Sequence, residues 1–281
     1  MSDTMPEKPF FVTLKNRGLL HLEGPDRHAF LQGLITNDMG KLSPVRPLYA
    51  CLLNPQGKFL HDFFVLEGDG FTLLDCEGGE RAQDLYRRLN MYRLRADVQI
   101  SVEEDNRVYA IFDETMKGLR DDGKLSSSPH PNIPTSFIDP RHPDLGRRSF
   151  DKPDLEERLF EEWDKRRIIL GIPDGSRDLV VGASTMDEGH MDRWNGVDYK
   201  KGCYVGQELT ARMHYRGLGK KHLETVQYKS SLRASESERS NPDRWIAASP
   251  RTLSEAPRND IVEIRSTCGD IGLALVRSLF I

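Results

Sequence analysis

The sequence predicts an α+β protein that ends in a small all-β unit. Up to residue 222, strand-like apolar runs alternate with short helical segments, whereas beyond residue 223 the apolar pattern is that of strands only. A chain of 281 residues is also long enough for more than one domain. We therefore predict a first α+β region at 1–222 and a C-terminal β domain at 223–281.

Each element of the first half follows from a local pattern. Asp26 can cap the first helix, although Gly33 weakens the end of that helix. Turn residues at 54–57 and 67–70 separate three apolar runs, which indicates a meander of strands. The predicted order is a strand at 18–23, a helix from about 25 to 34, strands at 48–53, 59–66 and 71–76, a helix at 79–92, and strands at 98–102 and 108–112.

The second half of the chain is less regular. A helix at 153–170 is predicted because Leu155, Leu159 and Trp163 recur at helical spacing, with acids near its start and bases near its end. The segment 230–257 contains seven serines and three prolines, so we expect a mobile insert in the C-terminal domain. The other predicted elements are a loop at 117–134, a helix from about 206 to 214, and strands at 223–228, 261–265 and 271–276.

Charge and composition exclude several classes of protein. The chain has 40 basic and 44 acidic side chains, a net charge of −4 and a pI of about 6.1. This balance gives no sign of a dedicated nucleic-acid or membrane binder. The apolar runs are shorter than a membrane helix needs, and the first residues lack the features of a secretory or organelle presequence. We therefore expect a cytoplasmic protein with no membrane partner.

The four cysteines, Cys51, Cys76, Cys203 and Cys268, lie far apart and form no C-x-x-C pair. This spacing argues against a sequence-local zinc or iron–sulfur site, so no metal site is predicted. Three of the cysteines lie in or beside apolar strand-like runs, where a buried and unreactive thiol is the usual case. Cys203 differs, because it follows lysines and precedes a predicted helix, and both features favour the thiolate.

Cys203 belongs to a basic segment at 200–221. Six lysines and arginines stand here beside the single acid Glu208, which is a local anion-binding pattern in a slightly acidic chain. Glycines on both sides of the cysteine allow close backbone approach, Tyr204 offers a ring for stacking, and Gln207 supplies amide groups. A second interpretation fits the same residues, namely a tight turn with a buried cysteine followed by a solvated basic helix.

The same segment carries a resemblance to a known family. Residues 201–208, K-G-C-Y-V-G-Q-E, are similar to the K-G-C-Y-x-G-Q-E signature of the YgfZ family. These folate-binding iron–sulfur cluster assembly factors are related to the aminomethyltransferase (T protein) of the glycine cleavage system. Residues 24–38 resemble the family's G-x-D-R-x-x-F-L-Q-G-x-x-T-N-D segment, and residues 54–62 resemble its turn and strand. Residues 209–212 are most similar to the branch whose mitochondrial member acts late in [4Fe–4S] assembly.

The resemblance implies a ring of three small domains around a channel that binds tetrahydrofolate. The region 1–222 would then contain two interleaved α+β subdomains, and residues 223–281 would form a small β-barrel. By their positions in the signature, Cys203 and Lys201 would carry the chemistry. The residues that the resemblance assigns to the folate site are Thr36, Asn37, Asp38, Asp62, Tyr204, Gly206, Gln207, Glu208 and Arg212.

Two departures from the T-protein pattern bear on activity. The paired acids that follow the T protein's glycine-rich turn read His61-Asp62 here, and the acid of its R-L-E-A-G segment is replaced by Ile169. Efficient aminomethyl transfer is therefore not expected, because a buried heterocycle without its charged partner binds less well.

The leading hypothesis is a tetrahydrofolate-binding accessory factor for the assembly or repair of [4Fe–4S] proteins, with no stable cluster of its own. Its partners would be iron–sulfur client or scaffold proteins. The alternative is a folate-dependent aminomethyl or one-carbon transferase with Asp62 as the base, so the question of enzyme activity stays open. An RNA-binding module is disfavoured because the basic segment has few aromatic side chains beyond Tyr204 and Tyr215.

Overall fold

The computed structural model describes residues 8–103, 107–113, 136–228, 245–247 and 261–277. The helices are α1 (Arg27–Gln32), α2 (Glu80–Arg93), α3 (Phe160–Leu170) and α4 (Gln207–Arg216). The strands are β1 (Phe10–Leu14), β2 (Arg17–Glu23), β3 (Leu48–Leu53), β4 (Phe59–Glu67), β5 (Phe71–Glu77), β6 (Gln99–Glu103), β7 (Val108–Phe112), β8 (Ser136–Ile138), β9 (Arg147–Ser149), β10 (Glu156–Arg158), β11 (Lys221–Tyr228), β12 (Trp245–Ala247), β13 (Ile261–Cys268) and β14 (Ile271–Arg277). They form three sheets, two with five strands and one with four.

The first sheet has the strand order β3-β4-β5-β2-β6, and every pair in it is antiparallel. It confirms the meander predicted from the turn residues. All residues of β3 and β5 are buried, so both faces of this sheet are covered. On one face, Leu85 and Leu89 of α2 pack into a core cluster with Leu20 and Leu74 of the sheet. The opposite face belongs to a second core cluster that this sheet shares with the other two.

The second sheet has the order β10-β1-β7-β9-β8. β1 and β2 follow each other in the chain but lie in different sheets, so the two sheets are interleaved in sequence. β1 was not predicted, and the helix predicted at 153–170 is wrong in its first part. Residues 156–158 pair in parallel with β1 as β10, and Leu159, 76% exposed, precedes α3. Strand pairing has here overridden a helical spacing of apolar residues.

The third sheet has the order β12-β11-β14-β13 and confirms the three strands predicted after residue 223. β12 lies within the predicted insert at 230–257. The rest of that insert and the whole loop predicted at 117–134 fall outside the described residues. Closure of this sheet into a barrel, the three-domain ring and the boundary at 222 stay predictions. In the part of the chain that the structure describes, no helix is both long and apolar enough to cross a membrane.

One core cluster joins all three sheets and places the signature segment. It contains Phe10 of β1, Phe64 of β4 and Leu275 of β14, and it also contains Tyr204 of the signature. Apolar contact across the three sheets therefore fixes the segment around Cys203 against the centre of the protein.

Candidate functional site

Cys203 presents an exposed thiol on the segment that precedes α4. All four cysteines lie among the described residues, and Cys203 is the exposed one. Cys51 and Cys76 are buried as predicted, and burial raises the pKa of Cys76 to about 12. Cys268 is only partly buried. The prediction that Cys203 differs from the other three is therefore confirmed in its exposure, and the alternative of a buried Cys203 is wrong.

Lys201 turns its side chain into the protein, two residues before the thiol. Its Nζ lies 2.9 Å from the carbonyl oxygen of Gln32, 2.6 Å from that of Ile35 and 2.7 Å from that of Asn37. Burial lowers the pKa of Lys201 to about 8. The three carbonyl acceptors require the ammonium form, which has three donors. A direct chemical role for Lys201 stays a prediction, but this geometry favours a structural one.

Two glycines allow the signature segment to dock on the turn between β3 and β4. Gly206 has a φ of +82°, and a Cβ there would lie 2.6 Å from the carbonyl oxygen of Asn54. Gly57 has a φ of +72°, and its Cβ would lie 2.8 Å from the carbonyl oxygen of Gly206. Glycine tolerates both conformations without steric cost. Gly206 is therefore a residue of backbone packing, and its assignment to the folate site stays a prediction.

The remaining signature residues differ in their access to a ligand. Tyr204 is 8% exposed and packs in the core, so its ring is not presented for stacking on a heterocycle. Gln207 begins α4 and is partly exposed. Glu208 and Arg212 are exposed and form an ion pair one helical turn apart. Their role in folate binding stays a prediction.

Thr36 and Asn37 tie the turn after α1 to the rest of the site. Thr36 Oγ1 donates to the carbonyl of Gly196 at 2.5 Å and accepts from the amide of Cys51 at 2.8 Å. Asn37 Nδ2 donates to the carbonyls of Tyr49 and Asn195 at 2.9 and 2.8 Å. These hydrogen bonds use the side-chain donors of two residues that the resemblance assigns to the folate site, and that assignment stays a prediction. Both side chains therefore link segments that are distant in the sequence.

Asp38 also makes its hydrogen bonds within the protein. Its carboxylate accepts from the amide of Gly40 and from the side-chain amide of Gln32, each at 3.0 Å. The first bond caps a short 3₁₀ turn at Met39–Lys41. Asp38 therefore shapes the turn to which Lys201 binds, and its role in folate binding stays a prediction.

Asp62 is a buried carboxylate whose two oxygens differ in their hydrogen bonding. It is 3% exposed, and its Oδ2 accepts from the hydroxyl of Tyr49 at 2.8 Å. Its Oδ1 has no hydrogen-bond partner among the described residues. Burial raises the pKa of Asp62 to about 6, against the lowering effect of Arg17, and the nearby Glu77 raises it further. A carboxyl group that titrates near neutral pH is suited to proton transfer.

His61 lies on the opposite face of β4 from Asp62, because neighbouring residues of a strand alternate. His61 Nε2 lies 2.8 Å from Oδ2 of Asp84 in α2. Burial and the charge of Arg81 lower the pKa of His61 to about 4. The interpretation that His61 removes a second carboxylate from the Asp62 site is therefore wrong, since an acid at position 61 would also point towards α2.

Ile169, the second departure from the T-protein pattern, is 54% exposed on α3. Glu188 is an acid that could compensate for this loss, and its Oε2 accepts from the amide of Thr185 at 2.7 Å, so its part in folate binding stays open. The effect of Ile169 on folate binding stays a prediction.

A buried cluster of ion pairs lies near Asp62, and the sequence did not predict it. Asp75 accepts from Nε of Arg17 at 2.7 Å and from Nη2 of Arg148 at 2.5 Å. Asp139 accepts from Nη2 of Arg141 at 2.8 Å. The five side chains come from β2, β5, β9 and the loop at 139–141, so no local spacing joins them. The available signal was Asp75 itself, an acid in the middle of an apolar strand.

A cavity of about 480 Å³ opens beside Tyr49. Asn37, Tyr49 and Asn195 line it, and Lys41 and Arg46 add positive charge. Lys41 Nζ also pairs with Asp198 at 2.5 Å, and Asp198 lines the same cavity. The volume is within the roughly 300–1,000 Å³ of small-molecule sites. Tyr49 links the cavity to the carboxylate of Asp62 behind it.

Metal-binding side chains do not gather in the described part of the chain. No group of three or more His, Cys, Asp or Glu residues is placed there so that it could hold a metal ion. Cys203 is thus not part of a metal-binding cluster formed by the described residues.

The comparisons with known proteins define the class and then the family. The fold is similar to that of the glycine cleavage system aminomethyltransferase T from Bartonella henselae, with a TM-score of 0.67 and 14% identity over 97% of this chain and 79% of that chain. The protein is therefore of the aminomethyltransferase T fold class. The human mitochondrial iron-sulfur cluster assembly factor IBA57 is 32% identical over 94% of this chain and 76% of its own length. The chain belongs to the IBA57 family of iron–sulfur cluster assembly factors.

A fungal relative agrees with this result. The mitochondrial IBA57 homolog of Pyricularia oryzae is 31% identical over 76% of this chain and 56% of its own length. No family model matches the chain. The predicted relation to the T protein is confirmed at the level of the fold, and the predicted link to iron–sulfur cluster assembly is confirmed at the level of the family, which is IBA57. The cytoplasmic prediction is wrong, because these relatives are mitochondrial proteins.

Proposed function

We propose that the protein is a tetrahydrofolate-binding accessory factor for the assembly or repair of [4Fe–4S] proteins, with Cys203 as its functional thiol. The observation that carries this proposal is the exposed Cys203 in a member of the IBA57 family. Its partners would be iron–sulfur client or scaffold proteins.

Cys203 would act together with a partner protein. Iron–sulfur clusters are commonly held by about four cysteine thiolates. Cys203 supplies one such ligand, and the described residues hold no group of three metal-binding side chains around it. We expect a partner protein to provide the other ligands during a transient contact in assembly.

Complementation in cells that lack the corresponding factor tests the thiol. Cys203→Ala should abolish activity of a [4Fe–4S] enzyme while the variant stays folded, because the thiol is exposed and removing it leaves no cavity. Cys268→Ala is the matched control, since this thiol is only partly buried and lies apart from the signature, at the end of β13. Full activity with Cys203→Ala would refute the proposed role of the thiol.

The proposed site for tetrahydrofolate is the cavity beside Tyr49. The ring of Tyr49 gives the lining an aromatic surface for the flat heterocycle, and the charge of Lys41 and Arg46 suits the anionic glutamate tail. When bound, the folate would supply a carrier for a one-carbon group. Oδ1 of Asp62 lies behind Tyr49 and has no hydrogen-bond partner among the described residues. It is an acceptor for an N–H group of the ligand that reaches Asp62.

An anaerobic titration with tetrahydrofolate, followed by calorimetry, tests this part of the proposal. Arg46→Ala should weaken binding roughly tenfold, as expected for the loss of a charged contact. Arg87→Ala is the control, because Arg87 is an exposed arginine on α2. Absence of saturable binding to the unaltered protein would refute the folate site and leave the thiol proposal standing.

A second candidate function is folate-dependent aminomethyl or one-carbon transfer. The pKa of Asp62, raised to about 6, favours it because such a carboxylate could act as a base near neutral pH. Turnover of a methylamine-type donor with tetrahydrofolate, lost in Asp62→Asn, would support the transferase. Absence of product with every donor tested would leave the accessory role.

A further inference from the structure

Lys201 fixes the thiol loop, residues 201–206, to the turn after α1. Its Nζ is surrounded by the carbonyl oxygens of Gln32, Ile35 and Asn37 at 2.6–2.9 Å. These contacts use all three ammonium hydrogens. The residue is also only 6% exposed, so it is neither a free cation at the surface nor a proton donor presented to solvent.

A second contact holds the other side of the thiol. The amide of Val205 donates to the carbonyl of Gly33 at 3.3 Å. Both contacts of the thiol loop therefore reach the same turn. Lys201 makes the first, two residues before Cys203, and Val205 makes the second, two residues after it. Between them, a Cβ on Gly202 would meet no described atom within 4 Å. The part of the loop that carries the thiol is thus held at its ends and open in the middle.

The chemistry of the first contact selects lysine. Three carbonyl oxygens converge on one nitrogen, which matches a compact ammonium and not the planar fork of an arginine. Nζ also lies 5.1 Å from the ring centroid of Tyr204, a distance at which a cation is attracted to an aromatic face. An apolar residue in this place would leave three carbonyls of the turn without these donors.

We infer that Lys201 is the positioning residue for Cys203, because its ammonium ties both the turn at 32–37 and the thiol loop into one rigid unit. The inference rests on the proposed role of Cys203 and adds the device that keeps its thiol in place. The competing explanation is that the lysines near Cys203 act on the thiol through their charge. Lys200 separates the two, because it is exposed and adjacent to Lys201.

A distance measurement between two spin labels tests the inference directly. One nitroxide is attached to Cys203 and the other to an introduced cysteine, Gln83→Cys, on the exposed side of α2, with Cys268→Ser to prevent labelling there. Pulsed electron resonance on the full chain gives the distribution of distances. Lys201→Met should make it roughly twice as broad, because the loop loses one of its two contacts. Lys200→Met should leave the width unchanged.

Two outcomes would overturn the inference. They are an unchanged width in a folded Lys201→Met variant and equal broadening with Lys200→Met. Neither outcome depends on cluster assembly. Failure of the complementation test with Cys203→Ala would therefore be recognised separately.

Discussion

Replacing Asp62 by asparagine should stabilise the fold at neutral pH and leave it unchanged in acid. Burial raises the pKa of this carboxyl from 3.8 to about 6. A folded-state pKa above the unfolded value means that the protonated group favours folding below pH 4, and that this contribution is lost as the pH rises through 6. The ionised Asp62 is thus a cost to stability at neutral pH.

The size of this cost follows from the shift of about two pKa units. At about 1.4 kcal/mol for each unit, ionised Asp62 lowers the free energy of unfolding by roughly 3 kcal/mol above pH 6. The asparagine of the Asp62→Asn variant would carry no charge, and its oxygen could still accept from the hydroxyl of Tyr49. Its amide group could donate to the nearby carboxylate of Glu77. Most of the roughly 3 kcal/mol should therefore be recovered.

Urea unfolding of both proteins at several values between pH 4 and pH 8 measures the effect. The difference in unfolding free energy should be near zero at pH 4 and should grow through pH 6. Asp75→Asn is the matched control, because this buried carboxylate lies between Arg17 and Arg148 and its loss leaves two buried cations without their partner. It should destabilise at neutral pH by roughly 3–5 kcal/mol. A stability difference for Asp62→Asn that does not vary with pH would refute the reasoning.

Three further predictions concern the glycines and the histidines. Urea unfolding should show that Gly206→Ala lowers the free energy of unfolding by roughly 2 kcal/mol or more, because the φ of Gly206, +82°, is left-handed. Gly202→Ala should be tolerated in the same assay, because a Cβ there would meet no described atom within 4 Å. Stability should fall as the pH drops from 6.5 to about 4, because burial lowers the pKa of His61, and His61→Gln should flatten this part of the curve. The ion pair of Asp187 and His222 lowers the pKa of the acid and raises that of the histidine, so Asp187→Asn should lower Tm most between about pH 4 and 6.5 and least at high pH. An equal loss at every pH would contradict this explanation.

The parts of the fold that sequence predicted are those where neighbouring residues decide the structure. The meander β3-β4-β5 was predicted because its apolar runs and its glycine turns are adjacent in the chain. β10 was not, because Glu156–Arg158 forms a strand only by pairing with β1, more than a hundred residues away. The apolar spacing around Leu159 is helical, but no local pattern could show that this side chain would be exposed.

The same distinction applies to the candidate site. That Cys203 differs from the other three cysteines was predicted from the lysines and the helix start beside it, and the structure adds that its thiol is exposed. The buried position of Lys201 was not, because a lysine beside a glycine turn is normally solvated and its three acceptors come from residues 32–37. The alternation of side chains along β4 is sufficient to place His61 and Asp62 on opposite faces of the strand.

The interleaving of the first two sheets has a consequence for the growing polypeptide on the ribosome. The first sheet needs no strand beyond Glu103, so it can form while the second half of the chain is still being made. β1 must wait, because Phe10 pairs with Phe112 on one side and Glu156 on the other. Until those partners emerge, its apolar residues and its two unpaired edges are available for wrong contacts with other chains. A chaperone that covers β1 during synthesis would prevent such contacts.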